Sequence, residues 1–283
     1  MTAPIHGVDH LQVVARDLEM AKRTWARLGF TLTPRGRHQG RGTGNYCIML
    51  NEGYIELIGI VDEKADTRNL ERHLAIGPGA IGLAFGSADP EAAASLLARE
   101  GYRPVGPTDL ARGIELKEGE QLLRFRLVNP ADGTVPGFRA FVCHHTTPAL
   151  TRRPEWVRHA NESIAVERYT IAAAEPGPVV ELFQRWFGKH AVDTVCRHPV
   201  VDTGREAIEI VPPASLASRF PGVEAQATRP LPCIVALTLR VSDIKRTRAA
   251  LESTGVDPKP GPKETLIVHA DEATGVIVSF VGG

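Results

Sequence analysis

The feature that most constrains this chain is an order of elements that returns four times: a strand, a helix and then further strands. In the first copy, residues 8–15 are apolar enough for a strand, and residues 18–28 follow with helical spacing. Leu18, Ala21, Trp25 and Leu28 fall on one face, Asp17 can cap the start, and Gly29 can close the end in a left-handed conformation. Three strands are then predicted at residues 30–34, 46–50 and 54–60, with Asn51-Glu52-Gly53 as the turn between the last two. The second copy runs from residues 81–86 through Asp89-Pro90 and a helix over 91–99, stopped at Gly101, to strands at 122–128 and 138–143. Residues 166–172, 178–187 and 207–211 form the third. The fourth has residues 234–241, a helix after Asp243 ended at Gly255, and strands at 266–269 and 276–280. An interval of about 70 to 85 residues exceeds that of most solenoid repeats, so the unit is a βαβββ module.

A single helix covers only one face of such a module's sheet, so the other face needs a partner and the modules should pair. Residues 146–156, rich in proline and charge, suit a connection between two pairs. The expected domains are therefore 1–155 and 156–283.

An apolar fraction of 43% supplies cores for this many elements, and no stretch of eighteen uninterrupted apolar residues occurs. Residues 1–7 lack a basic stretch followed by an apolar run, so no leader is read and a soluble cytoplasmic protein is expected. Acidic and basic residues balance at 33 each, and the basic ones lack aromatic interleaving, which argues against nucleic-acid and membrane partners. Cys47, Cys143, Cys196 and Cys233 are far apart and three lie in apolar strand-like runs, the usage of a reduced protein with inert thiols. No CxxC, GxSxG, phosphate-loop or dinucleotide pattern is present.

Asp9-His10-Leu11, Asp17-Leu18, Leu28-Gly29-Phe30, the run from Arg35 to Asn45, and Gly53-Tyr54-Ile55-Glu56-Leu57 together resemble the vicinal oxygen chelate superfamily, most closely its glyoxalase-like branch of bacterial proteins. The resemblance extends over essentially the whole chain and is sharpest over the first sixty residues. It implies an α+β fold in which paired βαβββ modules curl into two incomplete barrels, the first around a divalent metal. Carried over residue by residue, it makes His10 on the first strand and Glu56 on the last the expected ligands. In the second copy, counting from Asp89 as from Asp17 puts Gly82 at the position of His10, and about Ala140 at that of Glu56. Alternation from Ala140 through Val142 then offers His144 as a third ligand. Two imidazoles and a carboxylate leave coordination positions open on zinc, manganese, iron or nickel. The third and fourth copies offer Arg168 (or Glu167, with a one-residue slip) and Ala236 on their first strands and Ser279 near a last-strand position, so no second metal set is expected.

A buried Glu in the apolar run Tyr-Ile-Glu-Leu-Ile needs a cation or donors, either a metal or a structural bond to His10. Residues 35–45 hold three arginines, one histidine and four glycines, a composition able to clamp a carboxylate or phosphate or, more blandly, to form a solvated connection. Arg35, Arg37, His38, Arg41 and Asn45 are accordingly the expected substrate contacts, with His10 and Glu56 as the catalytic pair. His159 and Asn161 suit a structural turn, and Trp25, Trp156 and Trp186 suit packing. The expectation is a metalloenzyme of lyase or isomerase type acting on a small anionic, oxygen-rich substrate. Its alternatives are an extradiol-type dioxygenase with ferrous iron and a metal-free binding or resistance protein. A homodimer is allowed but not required, since four modules supply both halves of each barrel.

Overall fold

The computed structural model describes residues 3–223, 227 and 229–283; Met1 and Thr2, part of the N-terminal stretch considered above, lie outside them. The first module comprises β1 (His6–Val14), α1 (Leu18–Arg27), β2 (Gly36–His38), β3 (Thr43–Met49) and β4 (Tyr54–Ile60). After a short α2 (Leu70–Ile76) comes the second: β5 (Gly79–Gly86), α3 (Pro90–Arg99), β6 (Val105–Leu116), β7 (Gly119–Asn129) and β8 (Arg139–His145). The third is β9 (Ser163–Ala172), α4 (Gly177–Phe187), β10 (Val192–Asp193), β11 (Val200–Asp202) and β12 (Ala207–Val211). Beyond α5 (Leu216–Arg219) lies the fourth: β13 (Cys233–Val241), α6 (Ile244–Ser253), β14 (Lys259–Pro260), β15 (Leu266–Val268) and β16 (Ile277–Gly282).

Asp17, Asp89 and Asp243 start three of the four module helices as expected, each carboxylate accepting from backbone N–H groups of the first turn. The strand predicted at residues 30–34 is displaced to β2. Pro34 has no N–H to give a ladder, and Phe30 turns into the core against Trp25 and Phe280. β6 is an addition; its exposed charged residues hide the alternation of a strand.

Every module lays its last strand parallel to its first, and modules join antiparallel through their first strands, β1 with β5 and β9 with β13. In the N-terminal half β2 also pairs with β6, which completes an eight-stranded barrel in the order β1-β4-β3-β2-β6-β7-β8-β5. This barrel is closed where an incomplete one was expected. The C-terminal half stays an open eight-stranded sheet, β10-β11-β12-β9-β13-β16-β15-β14.

Strand alternation sends Leu11, Val13, Leu83 and Phe85 outward into one continuous apolar core that also takes Phe183 and Trp186 of α4 and Leu237 of β13. Phe85 meets the rings of Phe183, Trp186 and Phe187 edge-on, and Trp25 Nε1 donates to Thr274 Oγ1 at 3.1 Å. His159 and Asn161, in the connection between the sheets, are structural in this arrangement: His159 accepts from Thr31 N and donates to Met49 O, while Asn161 donates to Leu28 O. Among the described residues, no helix is long and apolar enough to cross a membrane.

Candidate metal centre

The opposite strand face points into the closed barrel. It carries His10 and Gln12 from β1, His38 from β2, Asn45 and Cys47 from β3, and Tyr54 and Glu56 from β4. Glu56 is 4% exposed and lies at the centre of this group. Its Oε2 accepts from Gln12 Nε2 at 2.8 Å and its Oε1 from Asn45 Nδ2 at 2.5 Å. His10 Nε2 faces Oε2 at 3.6 Å and His38 Nε2 faces Oε1 at 3.7 Å. Burial alone pushes the Glu56 carboxyl up, but the two imidazoles and the two amide donors outweigh it and hold its pKa down at about 2.

Each imidazole is fixed from behind. His10 Nδ1 donates to Asp9 Oδ2 at 2.7 Å, and His38 Nδ1 meets Thr43 Oγ1 at 2.9 Å. Asp9 and His10 are sequence neighbours and would ordinarily point to opposite faces; a register shift between Val8 and His10 against β5 lets both reach the same side. Burial pushes the His38 pKa down to about 4, with Glu56 opposing and Arg112 and Arg68 adding to the fall, so the ring is neutral and its Nε2 free to bind at neutral pH. Asp9 accepts a second bond from His145 Nε2 at 3.0 Å, and the two imidazoles override the cost of burial and hold its carboxyl well below the usual range.

The third expected ligand does not join this set. Gln12 is paired with Glu56, and the corresponding pair in the second module is Ala84 with Phe141. The residue matching Glu56 is therefore Phe141, one position beyond Ala140, and a one-residue shift exchanges strand faces. Phe141, Cys143 and His145 face inward, whereas His144 leaves the barrel and donates from Nδ1 to Ser87 O at 2.8 Å. His38, expected as a substrate contact, supplies the second imidazole instead.

Arg35, Arg37 and Arg41 are not brought to the site. Arg35 lies 3.6 Å from Glu19, Arg37 lies 3.7 Å from Asp62 with its side chain 68% exposed, and Arg41 is paired with Asp66. On β2 the alternation that turns His38 inward turns Arg37 outward. The cations that do line the barrel are Arg68 and Arg112. Arg112 Nη1 contacts Cys47 Sγ, and the guanidinium of Arg139 lies over the Phe141 ring. No ion pair is made by Arg68 or Arg139 among the described residues. Burial, with mutual repulsion, lowers the pKa of Arg139 to about 10. The loop before α2 carried no motif by which Arg68 could have been found.

A divalent cation fits this donor set. His10, His38 and Glu56 present two imidazole nitrogens and an ionised carboxylate, each oriented by another side chain. Gln12 Oε1 and Asn45 Oδ1, beside the carboxylate, are buried acceptors with no partner, as expected where an ion or its water belongs. The free space amid these residues is about 20 Å³, room for one water-sized particle. Asp9, His10 and Cys143 also bring donor atoms within 4.8 Å of one another. That trio is the weaker centre, because Asp9 is already engaged by two imidazoles and burial pushes the Cys143 thiol well up.

Arg68 and Phe141 also line a second cavity of about 460 Å³, which opens between α2 and the β7–β8 connection and is bordered by Arg72, His73 and Arg139. Arg68 and Phe141 are thus common to its wall and to the wall of the barrel interior.

Residues 8–187 match a family model described as glyoxalase-like domain. No curated protein matches the chain in sequence. Among solved structures, the chain is similar to a hypothetical protein from Staphylococcus aureus, with 13% identity, 98% of this chain and 99% of that one covered, and a TM-score of 0.69. It is similar to a mutant of 4-hydroxymandelate synthase from Streptomyces coelicolor, with 10% identity, 99% and 93% covered, and a TM-score of 0.63. It is also similar to the Mn(II)-bound glyoxalase from Novosphingobium aromaticivorans, with 11% identity, 99% and 83% covered, and a TM-score of 0.55. At these identities the likeness is one of fold.

Proposed function

The chain belongs to the glyoxalase-like domain family of the vicinal oxygen chelate superfamily, and on that premise we propose that it is a metal-dependent enzyme whose N-terminal barrel acts on a small anionic, oxygen-rich substrate by lyase or isomerase chemistry. The observation that carries this reading is the pair of imidazoles, each fixed through Nδ1, that turn their Nε2 atoms to opposite oxygens of one buried carboxylate. His10, His38 and Glu56 would hold the metal, which would supply Lewis-acid polarisation of the substrate's oxygens.

The protein's own groups do the rest. Arg68 and Arg139, partly buried and without an ion pair among the described residues, attract and orient the substrate's anionic group where cavity and barrel meet. Leu110, Phe125, Leu127 and Phe141 exclude water around the reacting atoms. Gln12 and Asn45 keep Glu56 ionised and aimed, so that it accepts a proton at a defined oxygen once substrate displaces one of its donors. All four cysteines are free, which supports a reducing compartment such as the cytoplasm.

Two imidazoles and one carboxylate also suit ferrous iron, so a ring-cleaving dioxygenase is the second reading. Elemental analysis of protein purified without added metal separates the two. Stoichiometric zinc, manganese or nickel supports the lyase or isomerase, stoichiometric iron supports the oxygenase, and the absence of any metal uptake refutes both.

A further inference from the structure

The C-terminal sheet has a site of its own at the register positions of the metal centre. Arg168 stands where His10 stands, and Glu209, paired with Thr170 as Glu56 is with Gln12, stands where Glu56 stands. In the fourth module Thr238 and Ser279 are paired as Gln12 and Glu56 are, with Ala236 at the position of His10, and the two hydroxyls bond at 2.9 Å. Arg168, Thr238 and Ser279, together with Arg219, line a cavity of about 490 Å³ on the open face, a size suited to a small organic molecule. Among the described residues no imidazole or thiol lines it, so its chemistry is not that of the barrel.

Its charge is that of an anion receptor. Arg168 and Arg219 both reach Oε2 of Glu209, at 3.3 and 2.6 Å. One carboxylate oxygen thus serves two guanidiniums, each with five N–H donors in a fixed fork, and most of those donors remain for another acceptor. Arg240 pairs with Glu167 at the edge, while Lys263 has no ion pair among the described residues. Lys263, which lines the cavity, and its neighbour Glu264 hold φ of 53° and 60°, a left-handed conformation that non-glycine residues rarely adopt. Strain kept in a binding rim points to a side chain held in place for a ligand.

We propose that the open face of the C-terminal sheet binds a small organic or phosphorylated dianion, held by Arg168, Arg219 and Lys263 with the hydroxyls of Thr238 and Ser279 as further donors. The site is separate from the barrel and does not depend on its metal.

Calorimetric titration of the full chain with succinate and, separately, with inorganic phosphate tests this. One of the two is expected to bind, and which one distinguishes a dicarboxylate from a phosphate ester. In Lys263→Gln, an exposed change that spares the fold, and in Arg219→Gln, affinity should fall about tenfold or more, while Arg37→Gln, an exposed change outside both sites, leaves it unchanged. Binding of neither probe below roughly 10 mM, wild-type affinity in Lys263→Gln, or a loss in Arg37→Gln equal to that in the C-terminal variants overturns the proposal.

Discussion

The two halves of the molecule repeat the same module twice each and join their modules the same way, yet one closes into a barrel and the other stays open. Strands β6 and β7 have 12 and 11 residues and carry the sheet round to β2, whereas β10 and β14 have two residues each and end it. Closure decides which chemistry the shared positions can hold. Inside the barrel a carboxylate and two imidazoles sit dry, where neutral nitrogen donors are tolerated and a bound ion's field is weakly screened. On the open sheet Arg168 takes the position of His10 beside the Glu209 carboxylate, with Arg219 of α5 as a second guanidinium, and both guanidiniums keep part of their hydration.

The strongest way to break the comparison is to separate its halves. The outward face of the barrel, with Leu83 and Phe85, is covered by Phe183 and Trp186 of the other half. We predict that residues 1–155 alone lose cooperative folding, because a large share of the apolar surface of this sheet returns to water. A sharp thermal transition in the isolated fragment, followed by circular dichroism, would show instead that the two expected domains are independent.

The next contrast sets Glu56 against its counterpart. Glu56→Ala should weaken metal binding by at least about 100-fold in a chelator competition, and His38→Ala should do the same. Glu209→Ala should leave metal content unchanged. Equal metal content in all three variants would remove the barrel centre from consideration.

How far the sequence discloses these sites depends on what each residue has around it. Glu56 stands out because a carboxylate interrupts an apolar run, and the repeated aspartate caps make the modules visible from residue order alone. Glu209 has the same setting in the run from Ala207 to Val211, but without a histidine at the partner position it attracts no notice. His144 is misplaced because counting along an alternating strand has no tolerance: the true match to Glu56 is Phe141, and every inward residue moves by one. His38 reads as part of a basic loop, since nothing local says that residues 36–38 form a strand whose alternation separates it from Arg37. The closure itself rests on β6, whose exposed charges give no apolar period.

Acid should expose the imidazole in metal-stripped protein. The His38 pKa is about 4 when folded against an ordinary imidazole value of 6.5, so between these values the unfolded chain binds more protons. Stability contributed by the neutral buried ring is therefore present above pH 6.5 and lost as pH falls toward 4, by about 3 kcal/mol. Glu56 acts lower, its contribution present above 4.5 and lost as pH falls through about 2. His38→Gln should flatten the upper part of the denaturation profile and, by taking one imidazole from beside Glu56, move the lower part to higher pH. An unchanged slope between pH 6.5 and 4 would mean that another group controls it.

Arg68 shows a smaller effect with a telling sign. Burial lowers its pKa and no carboxylate pairs with it among the described residues, so its charge opposes folding. Arg68→Met should raise the unfolding midpoint of the unliganded protein by roughly 2–4 °C, equivalent to about 1 kcal/mol, while abolishing its contribution to anion binding. A lower midpoint would assign it a structural pairing.

The smallest effect is expected where the sequence most invited a functional reading. Arg37 has its side chain 68% exposed, lies 3.7 Å from a partly exposed Asp62 and points away from the barrel. Exposed pairs of this kind contribute less than about 1 kcal/mol. Arg37→Ala should therefore leave metal content unchanged and shift the unfolding midpoint by no more than a few degrees, in contrast to His38→Ala one residue away. A large loss of metal in Arg37→Ala would mean that residues 36–38 pair in another register, and with it the assignment of inward and outward faces across β2 would have to be reversed.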